Sequence, residues 1–134
     1  MKPTLAELSD ALLSVFEGPA RLTAFQDPGG VWTIGRGHTR GVTPGMVITS
    51  EQSNIYFAQD QQALLTMVAG QRLFAGAAYV SFGYNCGRSA LFAVLKGFDR
   101  IDNPLHTTDR HGTVLPGLVS RRLLERLMVE GSTP

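Results

Sequence analysis

The chain has 134 residues, 43% of them hydrophobic and 17% charged, with a formal net charge of +1. That composition belongs to a folded chain with its own core, which excludes a disordered polymer, and the near-neutral charge supplies no global field for nucleic acid or a membrane surface. A lone cysteine, Cys86, excludes an intramolecular disulfide and a cysteine-built metal site, and no apolar run reaches the ~18 residues of a transmembrane helix.

The first ten residues are interrupted by Glu7 and Asp10 and do not read as a secretion signal, so a protein made in a cytoplasm without an export address is expected. Leu5, Leu8, Leu12, Val15 and Phe16 recur at helical spacing and predict an amphipathic helix. Gly18-Pro19 should stop it, leaving Glu17 at its C-terminus. Residues 21–26 and 31–34 are β-prone runs separated by Asp27-Pro28-Gly29-Gly30, which predicts a hairpin. A glycine-rich loop follows, and Thr49-Ser50-Glu51-Gln52 has capping-box spacing for a second helix carrying Tyr56, Phe57, Ala63, Leu64, Met67 and Val68. A third helix places Leu73, Ala77, Val80 and Tyr84 on one face. Residues 97–116 show no sustained period. Pro116-Gly117 opens a last helix, with Val119, Leu123 and Leu127 expected inward and Arg121, Arg122, Glu125 and Arg126 largely outward. Helix, small β lobe, then several helices is an α+β arrangement with a cleft between the lobes.

Cleaving a glycosidic bond needs a proton donor and a second group across the sugar, and a helix end beside a hairpin could bring Glu17 and Asp27 together for that purpose. Glu17 would sit at the negative end of a helix dipole beside Phe16 and Leu13, which favours its protonated form, while Asp27 in an exposed turn would stay ionised. On spacing alone, a surface acid and a turn aspartate that bonds its own backbone is the simpler account. Cys86 has no sequence neighbour that would activate it, His38, His106 and His111 lack zinc-ligand spacing, and Gly35-Arg36-Gly37 lies in no βαβ unit.

Larger blocks of sequence change the balance. Glu17-Gly18, Arg21 to Asp27 and Gly30-Val31-Trp32-Thr33-Ile34-Gly35-Arg36-Gly37-His38-Thr39 stand in one order, followed by Gly41 to Gly45, Ile48 to Gln52 and Gln59-Asp60. Val80 to Gly87 and Leu115 to Arg122, with Glu125, complete the set. Together these blocks resemble the phage-type (T4-like) lysozymes, glycoside hydrolase family 24, over most of residues 12–130. The resemblance implies a lysozyme-like fold forming a single domain over 1–134. It implies a muramidase that hydrolyses β-1,4 bonds between N-acetylmuramic acid and N-acetylglucosamine in peptidoglycan, as a phage endolysin does, with no cofactor or metal.

It further implies that Glu17, Asp27 and Thr33 are catalytic. Glu17 would protonate the leaving oxygen, while Asp27 and Thr33 would hold a water on the opposite face with inversion of the anomeric centre. Asn85 would bind substrate in the cleft, Arg121 or Arg122 would approach Glu17, and His38 with Asp60 would form a buried pair tying the β lobe to the second helix. Expected partners are glycan strands and a holin or equivalent for access. No nucleic acid and no membrane anchor are expected, and the protein should be a monomer in the host bacterial cytoplasm that acts in the periplasm after the membrane is permeabilised. One departure is local: nine residues separate Glu17 from Asp27, one more than the family pattern, which suggests a bulge near Pro19-Ala20. A lytic transglycosylase and a glycan-binding lysozyme without activity are the rival readings.

Overall fold

Thr4 opens the first helix. In the computed structural model, which describes residues 1–131, its Oγ1 accepts the Glu7 N–H at 3.1 Å while Glu7 Oε1 accepts the Thr4 N–H at 3.1 Å. Two otherwise orphaned donors are satisfied together, and α1 runs Leu5–Glu17. Gly18, at φ +69°, ends it. The buried stripe is offset from the expected one: Leu13 and Ser9 are deepest and Val15 faces solvent. α1 lies along α3, where Gly76 admits the Leu5 side chain; a Cβ there would come within 2.9 Å of it.

The hairpin forms as expected from β1 (Arg21–Gln26) and β2 (Trp32–Gly35), antiparallel, with Phe25 opposite Thr33 and Gln26 opposite Trp32. Asp27 closes it: its N–H donates to Val31 O at 2.9 Å, and its Oδ1 accepts the Val31 N–H at 2.8 Å. The pairing is irregular between Arg21 and Phe25, where β1 turns instead to the 46–48 segment, with Ala24 N–H donating to Met46 O and Ile48 N–H to Leu22 O. The irregular stretch of β1 is tolerated because the 46–48 segment gives its backbone a second partner.

The capping box at Thr49 and Gln52 opens α2 (Ser50–Met67), which buries Phe57 and Leu64 together with Ser53 and Gln61. α3 (Leu73–Cys86) is buried on nearly every side rather than on one face. It is the central helix, and its small residues set the distance to its neighbours: a Cβ on Gly83 would meet Leu64 at 2.7 Å and Leu91 at 2.8 Å. A short helix absent from the sequence expectation, α4 (Arg88–Leu95), follows directly and contributes Leu91 to the core with Leu13, Phe57, Val80 and Phe82.

The aperiodic stretch is held by local polar bonds. Asn103 caps a 3₁₀ turn at Pro104–Thr107, and Asp109 Oδ1 accepts the N–H groups of His111 and Thr113 in a tight loop bridged by Thr108 and Val114.

α5 (Pro116–Glu130) reverses its expected orientation. Arg121, Arg122 and Glu125 are 4%, 1% and 0% exposed, while Leu123 and Leu127 are 52% and 53% exposed and Val119 is also outward. Arg126, as expected, remains outside. The buried charges are mutually satisfied: Arg122 Nη2 donates to Glu125 Oε2 at 2.9 Å, and Ser81 Oγ of α3 donates to the same oxygen at 2.5 Å. Arg122 Nε lies 2.6 Å from Glu125 Oε1, close enough for strong attraction although not aligned as a hydrogen bond. Pairing of this kind makes a charged face the inward one.

Glu125→Ala should therefore cost about 3–5 kcal/mol in denaturant unfolding, because it leaves the buried Arg122 guanidinium without its anion. Leu127→Ala should cost less than about 1 kcal/mol. The opposite ranking would restore the expected orientation of α5.

Candidate active site

A cavity of about 780 Å³ opens between the hairpin lobe and the helices, and Glu17, Asp27, Thr33, Asn85, His106 and Arg110 are among the side chains facing it. Glu17 reaches it because Gly18 ends α1 at that point. Its Oε2 accepts a hydrogen bond from Arg121 Nη1 at 2.8 Å, and the same guanidinium lies over the Phe16 ring at 4.5 Å. The environment thus adds a guanidinium to the apolar neighbours Phe16 and Leu13, in line with the arginine expected from the resemblance. Of the two candidate arginines, Arg121 approaches Glu17, while Arg122 donates to Asn85 Oδ1 at 2.9 Å.

The loop after β2 presses on the same carboxylate. A Cβ on Gly37 would lie 2.7 Å from Glu17 Oε1, so only glycine, at φ +92°, lets the backbone come this close. Tyr84 anchors the loop by donating its hydroxyl to Arg36 O at 2.5 Å. Burial, reinforced by the charges of Asp60 and Glu17, holds the Tyr84 hydroxyl well above the usual phenol range, so it stays a donor. Sequence reasoning assigned Gly37 and Tyr84 no part in the site; the crowding of glycines after β2 was the available signal for the first.

Asp27 is half-buried, and Thr33 is buried on β2 with its hydroxyl donating to Val31 O at 2.9 Å. That bond uses the hydroxyl's hydrogen and leaves its lone pairs as acceptors. Asn85 lies in the last turn of α3, and its side chain meets Arg122 rather than capping the helix. Cys86 beside it meets an electropositive group from far along the chain, Arg122 Nη1 at 2.7 Å. Burial nevertheless outweighs that charge and pushes the thiol up, keeping it a poor nucleophile. His38 Nδ1 lies 2.8 Å from Asp60 Oδ2, and the imidazole stacks on Tyr56 at 4.1 Å between centroids, which joins the β lobe to α2.

Among the described residues, five α-helices and a two-stranded antiparallel hairpin make an α+β, lysozyme-like fold. The Phage lysozyme family model matches residues 14–125, and the chain belongs to that family. An endolysin of Acyrthosiphon pisum secondary endosymbiont phage 1 is 39% identical over 56 residues, a match that spans 42% of this chain and only 38% of that protein. Among solved structures, the muramidase domain of SpmX from Asticaccaulis excentricus superposes with a TM-score of 0.69 at 25% identity, covering 99% of this chain and all of that one. An endolysin from Escherichia coli O157:H7 phage FAHEc1 has a TM-score of 0.69 at 24% identity, covering 99% and 97%.

The far wall of the cleft hangs on Asp99. Its Oδ1 accepts from Asn103 Nδ2 and the Arg100 N–H, both at 2.8 Å, and its Oδ2 lies 2.7 Å from His106 Nε2. Those hydrogen bonds, led by Asn103 and then His106, lower its pKa from 3.8 to about 2. A depressed carboxylate contributes stability that is complete above the unfolded value and is lost as pH falls through the folded one. The stability gap between wild type and Asp99→Asn should accordingly be full at pH 5 and close between pH 4 and pH 2. A gap independent of pH in that window would contradict the assignment.

Proposed function

We propose that the chain is a muramidase that hydrolyses the β-1,4 bond between N-acetylmuramic acid and N-acetylglucosamine, one lysozyme domain over 1–134 acting as a phage endolysin. The observation that carries this reading is that Glu17, Asp27 and Thr33 line the same cavity. Family membership supports it, as does the muramidase named among the structural relatives. Glu17, held by Arg121 and backed by Gly37, donates its proton to the leaving oxygen as the bond to the anomeric carbon breaks. Asp27 takes a proton from a water on the opposite face as the water's oxygen bonds to the anomeric carbon, and Thr33 accepts a hydrogen bond from that water and orients it. Inversion follows, and for this the two carboxyl groups must stand ~6.5–9.5 Å apart. Asn85 offers its amide to an acetamido group or hydroxyl at the cleft floor, steadied by Arg122. Arg121 positions Glu17, while His38 and Asp60 act structurally, holding the β lobe on α2.

One observation favours a second reading. Asp27 Oδ1 is already engaged by the Val31 N–H, the duty of a turn-forming aspartate. If that is its whole role, Glu17 acts alone and the product is an anhydro sugar, as in a lytic transglycosylase. Mass spectrometry of the released muropeptides separates the two, since hydrolysis adds a water and the transglycosylase route does not.

Glu17→Gln should reduce turbidity clearance of outer-membrane-permeabilised Gram-negative cells by at least ~10²-fold while leaving the melting curve intact. Asp27→Asn should also be severe and Thr33→Ala intermediate. Near-wild-type clearance by Glu17→Gln would remove the central claim, and full activity of Asp27→Asn would move the assignment to the second reading.

No helix among the described residues is long and apolar enough to cross a membrane. We take the protein to work as a monomer that accumulates in the host cytoplasm and reaches the periplasmic wall when a holin or equivalent opens the inner membrane. Expression alone should leave Gram-negative cells intact, and co-expression with a holin should lyse them; lysis without the holin would contradict this route.

A further inference from the structure

Two consecutive residues of the loop after β2 meet two residues one turn apart on α1. Gly37 brings its backbone against Glu17, and Arg36 before it reaches Ser14, its Nη1 donating to Ser14 Oγ at 3.1 Å. Ser14 and Glu17 stand three positions apart, neighbours on one side of the helix. The Ser14 hydroxyl donates its own hydrogen to Asp10 O at 2.7 Å, so it meets the guanidinium with a lone pair. The loop therefore holds the last turn of α1 at two points, and Glu17 is one of them.

Arg36 is an expensive residue to use as a strap. It has no carboxylate within 4.0 Å among the described residues, and its Nε is buried without an acceptor. An ion pair is thus not what keeps it inside. The Ser14 bond does so, together with the Phe57 ring of α2, whose centroid is 5.1 Å from the guanidinium carbon. The Arg36 carbonyl is gripped separately by the Tyr84 hydroxyl from α3. One residue is thereby fixed to α1, α2 and α3 at once. Joining the lobes alone would not require it, because His38 and Asp60 already do that.

We propose that Arg36 is a positioning residue for Glu17: through Ser14 it clamps the loop onto the last turn of α1 and so fixes how closely Gly37 confines the carboxylate. The inference rests on the muramidase reading and adds to it a residue that touches neither substrate nor the reacting atoms. The placement of the carboxylate matters when the proton passes to the leaving oxygen. Releasing the clamp therefore acts on the chemical step and spares binding.

Arg36→Met keeps a side chain of similar reach against Phe57 and removes the donors. It should lower kcat on soluble glycan strands about tenfold, the scale of one hydrogen bond to a charged group, with KM changed less than about twofold. Ser14→Ala removes the acceptor from the other end and should reproduce that loss. The double variant should be no worse than either single one, as two ends of one bond require. Arg36→Lys restores a donor on a flexible stem and should bring kcat back to within about threefold of wild type. Losses that add in the double variant, a loss carried by KM, no recovery with lysine, or an unchanged kcat in Arg36→Met would each overturn the proposal. Melting curves set a temperature at which the variants are folded; if Arg36→Met does not fold, Ser14→Ala still decides, since its loss of kcat is required. If wild type cleaves no glycan, the muramidase reading fails instead. The inference is then decided by the NMR resonance of the Glu17 side-chain carboxyl carbon, assigned by its disappearance in Glu17→Gln. It must shift alike in Arg36→Met and Ser14→Ala and return with Arg36→Lys; a resonance unmoved by both variants overturns the proposal.

Discussion

Glu125 is a fully buried carboxylate, and much of the molecule is arranged to keep it charged at tolerable cost. Desolvation raises its pKa, opposed by Arg122, Ser81 and Arg121. From Glu125 the bonds run in two directions: through Ser81 and Arg121 to Glu17, and through Arg122 to Asn85 at the cavity floor. The network that docks α5 onto α3 is therefore the one that orients the carboxylate proposed as catalytic acid. Stability and site geometry are coupled here because α3 presents to α5 the small Ser81, whose hydroxyl and carbonyl meet Arg121 and Glu125 and let α5 bring two guanidinium groups inside.

The opposite side of Glu17 is shaped by backbone rather than charge. Gly37 brings the loop after β2 against its Oε1, and Tyr84 fixes that loop from α3. The carboxylate is held between a guanidinium that attracts one oxygen and a backbone that confines the other. Such confinement leaves it few rotamers, which is the condition for delivering a proton to a fixed atom. The β lobe that carries this loop is in turn joined to α2 by His38 and Asp60, so the cleft's two walls share their supports with the core.

Much of this was legible in the sequence and some was not, for identifiable reasons. Both capping boxes, the glycine stop after Glu17 and the Asp27 turn depend on local chemistry that a few neighbouring residues declare. The orientation of α5 depends on partners up to 104 positions away, as in the bond from Arg121 to Glu17, and periodicity cannot see them. Val119, Leu123 and Leu127 formed the more apolar stripe and pointed the wrong way. Only the matching of Arg121 and Arg122 to a family motif hinted that a charged face turns inward, and it left open which arginine reaches Glu17. α4 is eight residues long, too short to show a period, although Gly87 and Gly97 marked its limits. The stretch beyond it is ordered by Asp99, Asn103 and Asp109 acting on nearby backbone, so it carries no hydrophobic repeat to read.

The connection between Glu17 and Asp27 runs through an irregular part of the hairpin. From Arg21 to Phe25 is four steps along β1, while their partners Gly35 and Thr33 are two apart on β2, so β1 carries two unmatched residues between those pairs. Beyond them the pairing is regular through Phe25 with Thr33 and Gln26 with Trp32, up to the turn that Asp27 closes. The relation of Asp27 to Thr33 is therefore set by hairpin register alone and is insulated from the length of the connection to α1. What the connection can alter is the distance from Glu17 to that pair. Glu17 has its own restraint in Arg121, which reaches it from α5 and not through the hairpin, whereas Gly37 belongs to the β lobe and bears on Glu17 from there. Each carboxylate thus keeps an anchor of its own, Arg121 for Glu17 and the turn for Asp27, with Gly37 as the contact that joins the two halves.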